Sequence, residues 1–194
     1  MNLKINRVIK YLILSDLVLE ASWGLISPIF AIFIIQKIQG GNAFVVGMAS
    51  AIYLVVFSLI RIPVAIFLDW TLKEIDDFLF LLFGFFIVSF VPFGFIFSKF
   101  PWQIYFLQAI QGIGMAIAFS GYMAIFTKHI DKGKEATEWG IRASLIGLGT
   151  GLMAALGGIL VTKFSFNLIF SLVGIFSLLG SLLTLFLKHE FLKK

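Results

Sequence analysis

The sequence contains no cysteine, only two histidines, and 13% charged residues against 60% hydrophobic ones. Without cysteine there is no disulfide, no thiolate metal site and no thiol nucleophile. The two histidines, His129 and His189, stand sixty residues apart without companions at metal-ligand spacing, so neither a metal nor another cofactor is expected. The H-E-x-x-H and G-x-S-x-G motifs and the phosphate-cradling Gly-Lys-Ser/Thr loop are missing too, which removes the main support for hydrolase and ATPase readings. An enzyme is not expected. A soluble domain carries about 25% charged residues. The scarcity of charge here, with a mean hydropathy of +1.06, places the chain in the membrane class.

What the 194 residues do contain is apolar segments. They run at about 11–35, 43–68, 78–97, 102–127, 140–161 and 164–187, and the breaks between them are short except KHIDKGKEATEW at 128–139. A spanning helix uses about 20 residues, so six spans consume the chain as a single transmembrane domain. Segments this long and continuously apolar fit helices and not barrel strands, because the hydrocarbon leaves no backbone group to water. The first segment is too long for a signal-peptide core and lacks an A-x-A-like cleavage site, so it is read as a retained span. The expected fold class is therefore an all-α membrane protein of six transmembrane helices.

Orientation follows from the fifteen Lys and Arg residues. Lys4, Arg7, Lys10, Arg61, Lys73, Lys128, Lys132, Lys134, Arg142, Lys188, Lys193 and Lys194 fall on one side, and only Lys37, Lys99 and Lys163 on the other. Twelve against three is a positive-inside bias that puts both termini in the cytoplasm of a cell membrane. It also accounts for the net charge of +5. Charges spread over four separate segments do not form a nucleic-acid patch.

Asp16 and Glu20 carry the main chemical signal. Nine steps separate Tyr11 from Glu20, about 14 Å at 1.5 Å per residue, which sets Glu20 near mid-membrane. The spacing of four places both carboxyls on one helix face, and Trp23, Gly24 and Ser27 continue the stripe. Two ionised acids cost about 5 to 7 kcal/mol on the insertion scale, against about 4 to 8 gained from the span's Leu, Ile, Val and Phe residues. Insertion is close to break-even unless one acid is protonated or faces water. Intramembrane acids are functional by default, so Asp16 and Glu20 are read as a proton-coupling or substrate-binding site facing a cavity. A membrane boundary nearer Leu17 would instead leave Asp16 interfacial. Trp23, Ser27, Tyr53, Gln108 and Gln111 are the candidate cavity liners. Arg61 reads as a snorkelling anchor. Small residues at spacing four, Gly112, Ala116, Ser120 and Ala124 in the fourth span and Ala143, Gly147, Gly151 and Ala155 in the fifth, read as helix packing.

Over essentially its whole length the chain resembles the amino-terminal half of a major facilitator superfamily transporter. The first span, ASWGLISPIFAIFI, is similar to the family's first helix, with Gly24 and Pro28 in place. The turn after the second span matches the G-x-x-x-D-R-x-G-R-K motif at Asp69 and Lys73, while Ala65, Trp70 and Leu72 replace glycine, arginine and glycine. LQAIQGIGMAIA resembles R-x-x-Q-G-x-G-x-A, with Gln108 at the arginine position. In the fifth span Gly140, Gly149, Gly157 and Gly158 fall at the spacing of the antiporter motif, and Met153 and Ala154 replace its Gly-Pro pair. The resemblance implies a 3+3 inverted repeat and a site between two six-helix halves. It also implies a cytoplasmic gate at Asp69 and Lys73, and secondary transport of a small molecule resembling drug/proton antiport, in which such a first-helix acid recurs. One half lacks the opposing wall, so the expected partners, beside the lipid bilayer, substrate and protons, are a second copy or a second six-helix half. The alternative is a non-transporting assembly subunit or a truncated remnant.

Overall fold

A computed structural model describes residues 5–191. Lys4, Lys193 and Lys194 of the charge count lie outside the described residues, as does the side chain of His189. The described residues form eight helices: α1 (Arg7–Gly24), α2 (Phe30–Lys37), α3 (Ala43–Thr71), α4 (Glu74–Phe97), α5 (Pro101–His129), α6 (Glu135–Lys163), α7 (Phe166–Leu183) and α8 (Leu185–Phe191). Five stretches are long and apolar enough to cross a membrane, namely α3, α4, α5, α6 and Phe166–Lys188. The first apolar segment is not among them. It is divided between α1, which carries Arg7, Lys10, Asp16 and Glu20, and the eight-residue α2.

The division has a local cause. Pro28 has no N–H and disfavours helical geometry at the residue before it. Leu25 N–H and Ile26 N–H reach Ser22 and Trp23 carbonyls in tight three-residue turns, Ser27 N–H makes a last α-type bond to Trp23, Pro28 makes none, and the α-type ladder runs on from Phe30 N–H to Ile26. Other helix starts are fixed by side chains. Asn6 caps α1 through Val8 N–H, Asn42 caps α3 through Val45 N–H, and Ser165 caps α7 through Leu168 N–H; each satisfies one of the orphan donors of a first turn. Pro101 opens α5, where a missing N–H costs nothing.

The helices pack in the order α3, α5, α4, α7, α1, α6. Short links bring successive helix ends together, so the bundle has a terminal end, where Asn6 Nδ2 donates to the His129 carbonyl, and an opposite end holding Lys37, Lys99 and Ser165. Each end has an apolar layer. Phe33, Phe95, Phe166 and Phe170 centre the opposite one, and Leu12, Leu81, Phe85, Tyr122 and Phe126 the terminal one. Serine pairs cross between the layers: Ser22 with Ser177 at 2.8 Å and Ser89 with Ser181 at 2.9 Å. Such bonds hold membrane helices together where water cannot compete.

Glycine permits the closest helix contacts. A Cβ on Gly84 of α4 would strike the backbone of Ala118 and Gly114 on α5, and one on Gly112 of α5 would lie 2.8 Å from the Tyr53 carbonyl of α3. Gly157 sits equally tight against Leu25, and Ala116 is fully buried. By contrast Gly47 on α3 and Gly147, Gly151 and Gly158 on α6 have no atom within 4 Å of a built Cβ. The packing stripe expected in the fifth span, Ala143, Gly147, Gly151 and Ala155, therefore lies wholly on an exposed face; Gly158 is uncovered too, and the contact with the end of α1 is made off the stripe by Gly157. Both end helices are largely exposed, with Val55, Leu59 and Ile62 of α3 and Leu148, Leu152 and Ile159 of α6 all more than half accessible.

Candidate functional site

Between the two end helices, over α1 and α5, runs a groove of about 380 Å³. Its walls are Glu20, Trp23 and Gly24 of α1, Ser27 of the link, Phe30 of α2, Ser50, Tyr53 and Leu54 of α3, Gln108 and Gln111 of α5 and Thr150 of α6. Residues from positions 20 to 111 that were read as liners are brought together here: Glu20, Trp23, Ser27, Tyr53, Gln108 and Gln111 all line one groove. Ser50 and Thr150 join them unforeseen.

Asp16 goes elsewhere. Its carboxylate is 2% exposed and lies 2.6 Å from Nη2 of Arg142 on α6. Arg142 is in turn ringed by α5 and α6 aromatics, with its Cζ 4.7 Å from the Tyr122 ring centre, 5.6 Å from Phe119 and 5.7 Å from Trp139. Cation–π attraction strengthens when water is excluded. The other arginine, Arg61 of α3, lies 4.5 Å from the same Phe119 ring. One phenylalanine therefore stands between two guanidiniums reaching in from opposite ends of the helix order. This layer lies between the groove and a second cavity of about 280 Å³ at the terminal end, lined by Arg61, Asp69, Ser120, Thr127 and Lys128 among others.

The two acids of α1 thus have different circumstances. Asp16 is neutralised by Arg142, whereas among the described residues no hydrogen bond or ion pair is found for Glu20, which opens into the groove. Two further groups on the groove wall are unsatisfied: Trp23 Nε1–H and Gln111 Oε1 are buried without a hydrogen-bond partner. An unmet donor and acceptor beside a free carboxyl suit a polar ligand with a cationic group.

The pairing of Arg142 with Asp16 is what sequence reasoning missed, since Arg142 was counted there only as one more cytoplasmic cation. A signal did exist. Arg142 lies seven residues into α6 and Asp16 nine into α1, about 10 and 14 Å along their axes, so their depths match. Lys128 is similar, since it pairs at 2.6 Å with the fully buried Asp77 of α4.

Asp69 and Lys73 are both exposed and form no ion pair with each other. Asp69 is in the last turn of α3 and Lys73 immediately precedes α4. Leu72 between them has φ of 55°, the left-handed conformation that favours glycine.

No curated protein matches the chain significantly. The family model described as Major Facilitator Superfamily matches residues 12–194. A bundle of apolar helices around a polar groove, matched over all but its first eleven residues, identifies the chain as a member of the Major Facilitator Superfamily, a family of membrane transporters and not of enzymes.

Proposed function

We propose that the chain is one six-span unit of a secondary transporter that moves a small cationic molecule in exchange with protons, with Glu20 as the group that binds each in turn. The observation that carries this reading is the contrast between the two acids: Asp16 is matched by Arg142, and Glu20 faces the groove with no hydrogen bond or ion pair found for it among the described residues. A carboxyl in that position can hold a proton or a cation, but not both. Binding one releases the other, which is the linkage an antiporter needs.

The bend at Pro28 lets α1 and α2 cross the membrane together as the first of six spans, with both termini on the lysine-rich, cytoplasmic side. The packing order supports an inverted repeat. Numbered as spans it reads 2, 4, 3, 6, 1, 5, and exchanging spans 1, 2 and 3 with 4, 5 and 6 returns the same order reversed. The groove is closed by a second six-helix unit, either another copy or a second half, rocking about the midplane site. Uncovered glycines on both end helices, Gly47 and Gly147, Gly151 and Gly158, support close approach of that unit. The exposed Asp69 and Lys73 then act across the same seam as its cytoplasmic gate.

Proteoliposomes holding the full chain test this. Uptake of a fluorescent organic cation such as ethidium, driven by an imposed pH gradient, is expected for the parent chain, to be abolished by Glu20→Gln and to be retained by Lys132→Gln. Gradient-driven uptake that survives Glu20→Gln overturns the coupling role. A parent chain that moves no cation and runs as a strict monomer favours the non-transporting assembly subunit.

A further inference from the structure

We infer that the lysine-lined cavity at the opposite end of the bundle is a binding site for a phosphate-bearing anion, separate from the groove. Lys37, Lys99 and Lys163 are the only cations that the charge asymmetry leaves on this side. They are far apart in sequence, at the ends of α2, α4 and α6. Folding nevertheless brings Lys37 and Lys99 to the walls of one cavity of about 560 Å³, which Phe164, the neighbour of Lys163 in sequence, also lines.

Three features make this site suit an anion. The chain has ten acidic residues, and none lies between Glu20 and Asp69, between Asp77 and Asp131, or between Glu138 and Glu190. The three segments that meet at this end therefore contribute no carboxylate, and among the described residues no ion pair is found for the three lysines. Polar residues share the walls with the two lysines, namely Gln36, Ser98, Ser165 and Asn167. The cavity is also held open by fixed backbone, since Gln39 N–H donates to the Lys99 carbonyl at 2.8 Å and Gln103 Oε1 accepts from Lys99 N–H at 2.6 Å. A lysine at a helix C-terminus is favoured by the helix dipole, which explains each residue singly. It does not explain why two of them share a polar cavity free of acids.

The phosphate has two sources, the headgroup of an anionic phospholipid at the bilayer rim or a free phosphate in solution. Lysine near an anionic surface contributes about a factor of five each, so two give about thirty-fold. The full chain, reconstituted in nanodiscs of phosphatidylcholine with and without phosphatidylglycerol, is analysed by native mass spectrometry for retained lipid, with and without inorganic phosphate.

Expected is retention of phosphatidylglycerol over phosphatidylcholine, lowered about thirty-fold in Lys37→Gln/Lys99→Gln, restored in Lys37→Arg/Lys99→Arg and unchanged in Lys132→Gln. Retention that phosphate does not displace identifies the lipid. Phosphate bound directly, and lost in the Gln variant, identifies the soluble source. A parent chain that retains neither, or a preference that survives Lys37→Gln/Lys99→Gln, overturns the site.

Discussion

At the scale of single residues, the Asp16–Arg142 pair and Leu72 make opposite predictions. Removing one member of a buried ion pair leaves the other uncompensated, at about 3 to 5 kcal/mol, whereas replacing both with neutral residues is often nearly neutral. Asp16→Asn is therefore expected to lower thermal stability in detergent strongly. Arg142→Gln lowers it less, since a carboxyl left alone can neutralise by protonation and a guanidinium cannot. Asp16→Asn/Arg142→Gln is expected to recover most of the loss, and a double variant as unstable as the sum of the singles would contradict the pairing. Leu72 is strained. A left-handed conformation costs a non-glycine residue about 1 to 2 kcal/mol, and glycine returns about 0.5 to 1 of that through its greater unfolded-state entropy. Leu72→Gly should stabilise the chain by about 0.5 to 1 kcal/mol in the same melt.

At the scale of helices, glycine has two roles that one substitution separates. On α4, Gly84 touches the α5 backbone, so even Gly84→Ala forces the two helices apart and is expected to cost about 1 to 3 kcal/mol. On α6, Gly151 has open space over it. Gly151→Ala is thus expected to leave the isolated chain as stable or slightly more so, alanine being the better helix former by about 1 kcal/mol. The same change should lower transport if a second unit packs there. A matching loss of stability in both variants, measured by thermal unfolding, would remove the distinction. Helix α3 owes its exposure to position at the end of the packing order, not composition, for it is nearly as apolar as the covered α4, and α6 holds the other end of that order.

At the scale of the whole molecule, the question is what closes the groove. The absence of cysteine makes introduced pairs unambiguous. Gly47 lies four residues from the start of α3 and Gly158 five from the end of α6, about 6 and 8 Å from the same end of the bundle. Both are uncovered. On the proposal that the second unit is another copy, a two-fold axis brings α3 of one against α6 of the other, so Gly47→Cys/Gly158→Cys is expected to give a disulfide-linked dimer on mild oxidation in the membrane. A chain that stays monomeric on the gel assigns the wall to a different six-helix unit.

The positions of α3 to α7 and the bias of positive charge were legible in the sequence, because hydropathy and residue charge are local properties of a helix. The groove-facing stripe from Glu20 through Trp23 to Ser27 was legible for the same reason, since i, i+3 and i+4 neighbours share a face whatever surrounds it. The bend at Leu25–Ile29 was foreshadowed by Pro28, but a proline alone did not settle it: Pro63 and Pro92 lie inside α3 and α4 without breaking them. Which of two acids on one face remains free, and that Lys37 and Lys99 share a cavity, was decided only by the tertiary structure. Those outcomes depend on which helices become neighbours. That order follows from packing of side chains distant in sequence, as when α6 lies against α1 and brings Arg142 to Asp16, leaving Glu20 open to the groove.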